Sequence, residues 1–293
     1  MTYISSPVEK STTSLTSEFS AVTLARVRDY WNSRPCNIRH SPKPVGTREY
    51  FDEVEARKYF VESHIPAFAD FEQWRGKRVL EIGCGIGTDT INFARHGAKV
   101  TAVDLTQKSL DLARQRAKVF GLEDRIRFFQ ANAEQLSDTV PVEEYDLVYS
   151  FGVIHHTPNP DRVIEQIRKY TGKQSIVRIM VYNRWSWKVL WILFVYGKGK
   201  FWRLNRLIAE HSEAQTGCPV TYSYSRGDGR RLLEQHGFRV TGTLVDHIFP
   251  YSIPEYVTYE YKFVWYFRWM PRPLFRLLER TYGWHLCLMA IPE

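Results

Sequence analysis

The stretch VLEIGCGIGT, residues 79–88, decides the fold of this chain of 293 residues. A short, mostly apolar strand leads directly into a loop with glycine at every second position, and Asp104 ends the next apolar run. Glycine lets the backbone turn sharply and lets a ligand approach without meeting a Cβ atom. In open α/β sheets such a loop binds a nucleotide, and a carboxylate about 20 residues further on accepts hydrogen bonds from the ribose hydroxyls. The stretch therefore predicts a nucleotide-binding α/β domain.

Alternating strands and helices extend over residues 77–182. The predicted strands are short, apolar and bounded by turn residues, and the helices between them carry their apolar residues on one face. Strand, helix and strand at this spacing predict a mostly parallel sheet covered by helices on both faces, which is a doubly wound α/β fold. The predicted strands are 78–82, 100–103, 126–130, 146–150 and 175–181, and the predicted helices are 108–120 and 161–170.

Further segments surround this core. Residues 1–20 are rich in Ser and Thr and have no hydrophobic periodicity, which predicts a flexible N-terminal arm. This arm has no basic stretch followed by an apolar one, so we expect no signal peptide and a cytoplasmic location. The other predicted segments are a helical cap (21–76, with helices at 18–32 and 48–62), the core (77–182), a lid insertion (183–225), and a C-terminal segment (226–293) that completes the sheet with a helix (226–236), two strands (238–245 and 285–291) and a helical insertion at about 252–283.

Composition excludes several classes of protein. The longest apolar run, VLWILFVY at 189–196, is far shorter than the roughly 20 residues that a membrane-spanning helix needs. The net charge of +8 favours anionic partners in general, without choosing among nucleic acid, membrane surface and small acids. Four scattered cysteines without CxxC spacing indicate neither a disulfide framework nor a structural zinc site: Cys36, Cys84, Cys218 and Cys287.

The spacing of the glycines distinguishes between two cofactors. The dinucleotide fingerprint G-x-G-x-x-G needs glycine where Thr88 stands, whereas Gly87 gives the pattern E-x-G-x-G-x-G, beginning at Glu81. This pattern resembles the first motif of the class I S-adenosylmethionine-dependent methyltransferases. That cofactor has no phosphate, and an acidic Glu81 is compatible with its sulfonium and ammonium charges. The resemblance implies a seven-stranded, mostly parallel sheet with S-adenosylmethionine bound at the glycine loop.

Two later segments extend the resemblance. Asn132-Ala-Glu134 follows the third strand, where the family usually has Asp-Ala, and the Asn132 carbonyl is still an acceptor for the adenine amino group. The fourth strand continues into V-I-H-H, which is similar to a stretch common among small-molecule methyltransferases. The resemblance implies a cofactor site formed by Glu81, Gly83, Cys84, Gly85, Gly87, Thr88, Asp104, Leu105, Asn132, Ala133, Glu134, Ser150, Phe151 and Gly152.

The acceptor of the methyl group is expected to be a small, partly hydrophobic molecule, with a basic rim that also suits an anion. Methyltransferases of nucleobase amines carry N/D-P-P-Y/F after the fourth strand, where this chain has SFGV at 150–153, and no RNA-binding module is recognisable. His155 and His156 follow that strand and are the candidate general bases. The family resemblance also allows His156 a purely orienting role. Asp246 and His247 are weaker candidates. No carboxylate cluster follows the fourth strand, so we expect no metal.

Aromatic residues outside the core are candidate contacts to the acceptor. Tyr30, Trp31 and Arg39 lie in the N-terminal segment, and the insertion after the fifth strand combines tryptophans with lysines and arginines. Such an insertion predicts a lid with an apolar cavity and a basic rim. Two alternatives stay open: packing alone, and a helix that rests on a membrane surface. The candidate acceptor contacts are Tyr30, Trp31, Arg39, Tyr182, Trp185, Trp187, Tyr222 and Tyr224.

Other functions are compatible with the same pattern. A methyltransferase of RNA or DNA, a membrane-associated methyltransferase of lipids or prenyl compounds, and a nucleotide-binding regulator without turnover would all need the glycine loop and Asp104. The sequence does not indicate an oligomeric state.

Overall fold

Seven strands form a single sheet in the computed structural model, which describes residues 19–212 and 217–293. Their order is β3-β2-β1-β4-β5-β7-β6; the first five are parallel, and β7 runs antiparallel to both of its neighbours. The predicted doubly wound, mostly parallel seven-stranded sheet is therefore confirmed. The strands are β1 (Arg78–Ile82), β2 (Lys99–Asp104), β3 (Ile126–Gln130), β4 (Tyr145–Phe151), β5 (Thr171–Tyr182), β6 (Phe238–Asp246) and β7 (His285–Pro292).

Helices cover both faces of the sheet because its strands are apolar on both sides. In β1, Leu80 and Ile82 pack into one core cluster and Val79 into the other. The helices are α1 (Leu24–Ser33), α2 (Arg48–Val61), α3 (Ile65–Ala69), α4 (Thr88–Arg95), α5 (Gln107–Phe120), α6 (Pro160–Lys169), α7 (Trp187–Val195), α8 (Leu204–His211), α9 (Arg226–Glu234), α10 (Ile253–Val257), α11 (Trp265–Arg268) and α12 (Arg272–Tyr282).

The carboxyl edge of the sheet receives residues from antiparallel as well as parallel strands. The strand order reverses between β1 and β4, and open α/β sheets bind ligands at such a point, beyond the carboxyl ends of the strands. Because β7 runs the other way, its first residue, His285, pairs with Tyr182, the last residue of β5. His285 therefore lies at the same edge as the ends of the parallel strands.

The N-terminal cap differs from the prediction in two respects. The first helix begins at Leu24 rather than at residue 18, because the Thr23 side chain accepts a hydrogen bond from the Arg26 N–H and caps it. Residues 1–18 of the predicted flexible arm lie outside the described residues. Phe19, at the end of that arm, is buried with its ring 5.0 Å from the ring of Tyr222. The arm therefore ends in a packed residue rather than in a loose one.

The predicted lid insertion lies beside the sheet and not over its carboxyl edge. In α7, Val189 and Ile192 are buried, whereas Trp187 and Trp191 are exposed. None of the described residues within 183–225 lines the large cleft of the molecule. A lid function for this insertion stays a prediction. Helices α10, α11 and α12 lie within the segment expected to hold a helical insertion at about 252–283.

Arg116 fastens the cap to the core. Its side chain is completely buried and donates hydrogen bonds to the Thr88 hydroxyl (2.6 Å), the Phe51 carbonyl (3.1 Å) and the Glu55 carboxylate (3.1 Å). These partners belong to α4 and α2, so one guanidinium on α5 joins three helices. A buried charge is stable only when it is paired and hydrogen-bonded in this way.

Replacing Arg116 with Ala is expected to lower the free energy of unfolding by about 3 kcal/mol, since removing one partner leaves a buried ion pair broken. Arg114→Ala is the matched control, because Arg114 lies on the same helix with a largely exposed ion pair to Asp111. Its effect should stay within about 0.5 kcal/mol. Urea unfolding measures both values, and equal losses would contradict this account.

Candidate active site

The glycine loop is folded around the carboxylate of Asp104. The Gly83 and Cys84 N–H groups both donate to the Val103 carbonyl, at 2.7 and 2.9 Å. One Asp104 oxygen accepts from the Gly85 N–H at 2.9 Å, and the other accepts from the backbone and hydroxyl of Thr106, each at 2.8 Å. Burial raises the pKa of Asp104 above its ordinary value, opposed by these hydrogen bonds. The loop of β1 and the end of β2 therefore form one hydrogen-bonded unit.

A cleft at the carboxyl edge contains about 1320 Å³ of empty space, counting its open mouth. Its walls come from the ends of β1, β2, β4 and β5, from the start of β7, and from the N-terminal cap. Of the predicted cofactor residues, those that line it are Gly83, Cys84, Gly85, Thr88, Asp104, Leu105, Asn132, Ala133, Phe151 and Gly152.

Glu81 is not part of the cleft wall, and its contact with the cofactor stays a prediction. Side chains alternate along a strand, so Glu81 lies on the opposite face of β1 from Ile82, which does line the cleft. Glu81 is buried and accepts a hydrogen bond from the Thr90 hydroxyl. Burial, together with the nearby Asp89 carboxylate, raises the pKa of Glu81 to about 8. Its role here is in the packing beneath the loop.

Three further cofactor candidates support the wall from behind instead of lining it. The Ser150 hydroxyl donates to the Ile82 carbonyl at 3.1 Å and ties β4 to β1. The Glu134 carboxylate accepts from the backbone and the side chain of Asn159, at 2.8 and 3.0 Å. Gly87, with a φ of 79°, forms the left-handed turn that begins α4. These three residues therefore do not line the cleft, and their direct contact with the cofactor stays a prediction.

His155 and His156 have different surroundings. His156 lines the cleft, and its Nδ1 lies 2.8 Å from the Val220 carbonyl, which places the proton on Nδ1 and the lone pair on Nε2. His155 is completely buried behind it, with its ring centroid 3.8 Å from that of Tyr182. Burial lowers the pKa of His155 well below its ordinary value. Of this pair, only His156 is placed to contact a molecule in the cleft.

The far end of the cleft combines apolar and titratable groups. Trp31 and Tyr182 are the predicted residues that line this end, and the Trp31 ring lies 5.1 Å from that of His156. The sequence analysis missed Lys58 and Glu62, although a spacing of four residues on a helix places both on one face. It also missed His285, because a residue that begins a strand is not expected at a carboxyl edge unless that strand is known to be antiparallel.

Buried ionisable groups continue behind this end. The Lys58 ammonium lies 2.7 Å from the Asp89 carboxylate. His285, His64 and His247 have ring centroids 4.6 to 6.0 Å apart. Burial lowers the pKa of His247 to about 3 and that of His64 to about 4, so both imidazoles are uncharged at neutral pH. Neutral imidazole can accept a proton or bind a metal.

The remaining predicted acceptor contacts do not line the cleft, although Trp31 and other residues of the N-terminal segment do. Tyr30 lines a separate cavity between α1 and α8, and Arg39 is exposed. Trp185 and Trp187 are exposed on the outer surface. Tyr222 and Tyr224 are buried in the core, with the Tyr222 hydroxyl donating to the Pro158 carbonyl. None of these six residues lines the cleft, and their contact with the acceptor stays a prediction.

Comparison with known proteins identifies the family. A model described as "Methyltransferase domain" matches residues 74–234, which is more than half of the chain. The chain belongs to this methyltransferase family, and its sheet is that of the class I S-adenosylmethionine-dependent methyltransferases. The glycine loop alone is compatible with a dinucleotide or with S-adenosylmethionine, and membership of this family supports S-adenosylmethionine.

Individual relatives match the core only. The ubiquinone biosynthesis O-methyltransferase of Aeromonas salmonicida (strain A449) is 35% identical over 109 residues, which are 37% of this chain and 44% of that protein. The protein of the same name from Nitrosococcus oceani is 38% identical over 101 residues, which are 33% of this chain and 42% of that protein. The chain therefore covers less than half the length of these relatives.

Solved structures match over nearly the whole chain. Geranyl diphosphate C-methyltransferase from Streptomyces coelicolor A3(2) superposes with a TM-score of 0.57 at 15% identity. The alignment covers 94% of this chain and 98% of the chain of that enzyme. Magnesium protoporphyrin IX methyltransferase from Synechocystis PCC 6803 has a TM-score of 0.56 at 18% identity, with 91% and 98% covered. At these identities the likeness shows the fold alone.

Gly83→Ala is expected to lower the free energy of unfolding by about 3 kcal/mol. A Cβ there would lie 2.1 Å from Val153 Cγ2, and the φ of 81° is itself costly for a residue with a side chain. Adding Val153→Ala should restore the part that is due to the clash. Gly121→Ala is the control. Gly121 also has a positive φ, of 64°, but a Cβ added there would have no neighbouring atom within 4 Å. Chemical denaturation compares the variants, and equal losses for Gly83→Ala and Gly121→Ala would refute the clash.

Proposed function

We propose that this protein transfers a methyl group from S-adenosylmethionine to a nucleophilic O, N or C atom of a small, partly apolar molecule. The observation that carries the proposal is one cleft that joins the glycine loop and Asp104 to a wall of aromatic and titratable groups. Membership of the methyltransferase family supports the reaction. Oxygen is the favoured acceptor atom, because the curated relatives named above are O-methyltransferases.

The residues of the cleft fit S-adenosylmethionine. Gly85 lines the cleft, and a Cβ on it would meet no protein atom within 4 Å, so the backbone there is open to a ligand. Asp104 would accept hydrogen bonds from the ribose hydroxyls, and Asn132 lies where the adenine would bind. The Asn132 carbonyl also accepts from the Glu134 N–H at 3.0 Å, which fixes the orientation of its side chain.

The chemistry needs position more than it needs a protein nucleophile. When bound, S-adenosylmethionine supplies an activated methyl group, whose bond to sulfur breaks as its bond to the acceptor atom forms. Holding the acceptor in line with that bond supplies roughly 7–11 kcal/mol in favourable cases. Trp31 and Tyr182 would orient an apolar acceptor. His156, with its lone pair on Nε2, is the candidate to accept a proton from it.

A small acceptor fits the wall better than a nucleic acid does. Lys58 is the only Lys or Arg among the described residues that line the cleft, whereas nucleic-acid sites need several basic side chains for the phosphates.

Turnover of labelled cofactor with candidate phenols and enols distinguishes an enzyme from a nucleotide-binding regulator. The cytoplasmic location stays a prediction.

Asp104→Asn is expected to weaken the binding of S-adenosylhomocysteine at least about tenfold, since a charge-assisted hydrogen bond to the ribose is replaced by a weaker one. Isothermal titration calorimetry measures the dissociation constant. Asp111→Asn, a largely exposed change on α5, serves as the matched control and should bind as the parent does. Unchanged binding by a correctly folded Asp104→Asn protein would remove Asp104 from the cofactor site.

We further propose that an exposed aromatic surface on α7, α11 and α12 contacts an anionic membrane. Trp265 and Trp269 are 79% and 81% exposed. Trp187 lies 6.1 Å from Tyr266, measured between ring centroids, so the surface is continuous from α7 to α11. Exposed apolar patches rimmed by charge mark interaction sites. The large apolar side chains exposed on this surface are Trp187, Trp191, Phe194, Trp265, Trp269, Leu274 and Leu277.

The charge of this surface favours lipid headgroups over a neutral partner. In residues 187–203 and 265–282 the one acidic residue is Glu279, which is buried and paired with Arg276. Aromatic side chains flanked by basic ones are typical of proteins that bind at the membrane interface. No helix in the described ranges has the length and apolarity to cross a bilayer, so the contact proposed is peripheral. The basic residues are Lys188, Lys198, Lys200, Arg203, Arg268, Arg272, Arg276 and Arg280.

Replacing both Trp265 and Trp269 with Ser is expected to reduce sedimentation with vesicles of anionic phospholipid by about tenfold. High salt should reduce the binding of the parent protein, because the basic residues contribute to it. Val142→Ser is the control, since Val142 is exposed but lies before β4, outside this surface. Equal sedimentation of the double variant and the parent would count against the membrane contact.

A further inference from the structure

We propose that Glu62, His247 and His285 form a binding site for one divalent transition-metal ion at the far end of the cleft. The three residues come from the end of α2, from the segment after β6 and from the start of β7. Each offers one ligand-type atom, and these atoms all lie within 4.8 Å of one another. Two imidazoles and one carboxylate are a ligand set that zinc, cobalt and iron(II) bind in proteins.

The distances come close to those of a formed site. In a tetrahedral zinc site with bonds of about 2.0–2.1 Å, neighbouring ligand atoms are about 3.4 Å apart. His285 Nε2 and Glu62 Oε1 are already 3.6 Å apart. The ligand atom of His247 lies within 4.8 Å of the other two. The three ligands would then leave a fourth coordination position for water or for the acceptor.

A second shell holds the His285 ring in a ligating orientation. Its Nδ1 lies 3.0 Å from Nε2 of His64, and Nδ1 of His64 lies 3.6 Å from the Asp246 carboxylate. Metal-binding histidines usually have their other ring nitrogen fixed by such a hydrogen bond, often one that leads to a carboxylate. The chain Asp246, His64, His285 therefore has the form of a metal site's supporting shell.

The contact between His285 and Glu62 favours a cation between them. His285 Nε2 and Glu62 Oε1 lie 3.6 Å apart, which is too long for a hydrogen bond. A metal ion between an imidazole nitrogen and a carboxylate oxygen would attract both atoms.

The position of the site connects it to the cleft. Glu62 and His285 both line the cleft wall, and His247 lies behind them. Two ammonium groups lie near this region: Lys58 pairs with Asp89, and Lys188 lies 4.6 Å from the centre of the Trp284 ring. Resting on the proposed function, an ion here would bind the acceptor oxygen and stabilise its deprotonated form, which is the better nucleophile.

Metal content tests the site independently of methyl transfer. The full-length protein is stripped with a chelator, dialysed against Co²⁺ or Zn²⁺, and analysed by mass spectrometry of the metals. We expect one ion per chain, a visible Co²⁺ absorption band typical of four or five ligands, and a raised melting temperature with Zn²⁺. His285→Ala, His247→Ala and the near-isosteric Glu62→Gln should each weaken binding at least about tenfold, which is roughly 1.4 kcal/mol.

His236→Ala is the matched control, because His236 lies beyond the site, beside Asp161 on α6, and should keep the full metal content. Circular dichroism checks that every variant is folded. A parent protein that does not bind metal stoichiometrically would overturn the proposal, and the contact between His64 and His285 would then be only a hydrogen bond. Metal that stays bound in all three ligand variants would also overturn it. Binding of S-adenosylhomocysteine is measured separately, so a metal-free protein that still binds it would refute this site and leave the proposed function intact.

Discussion

Parallel strands all end at one edge of their sheet, and the cofactor end of the candidate active site depends on this constraint. The glycine loop follows β1, Asp104 ends β2, and Phe151 and Tyr182 end β4 and β5. These residues are far apart in sequence, yet the sheet brings them to one cleft without any special interaction among them. The hydrogen bond from the Gly85 N–H to Asp104 then fixes how the first two strand ends meet. The antiparallel β7 adds His285 to the same edge, since His285 pairs with Tyr182 at the end of β5.

The sequence was sufficient for the sheet and for most of the cofactor end. Apolar periodicity located all seven strands, because each is buried on at least one face and is bounded by turn residues. Ten of the fourteen expected cofactor residues line the cleft, and Gly83 and Asp104 are among these ten. Glu81 shows why a motif is not sufficient. A motif gives the position of a residue in the chain, whereas the alternation of side chains along β1 places Glu81 on the face opposite the cleft.

The acceptor end could not be predicted in the same way. Its wall is assembled from α1, α2, β5 and β7, and neither periodicity nor spacing tells which of these elements meet. Aromatic composition pointed to the insertion after β5, but Trp185 and Trp187 lie on the outer surface. Lys58, Glu62 and His285 are single residues without a motif. Their common feature is three-dimensional: they are titratable groups that the packing of the cap removes from water.

The cap itself is bound to the last third of the chain. The Arg57 guanidinium donates to the Tyr256 carbonyl at 2.5 Å, across 199 residues of sequence, and the Tyr259 hydroxyl donates to the Arg39 carbonyl. During synthesis, therefore, the two ends of the cleft are completed at different times. A nascent chain that has emerged as far as β5 already contains the glycine loop and Asp104. His247, His285 and the Tyr256 partner of Arg57 follow β5 in the chain, so the glycine-loop end of the cleft is synthesised before the end that contains His285.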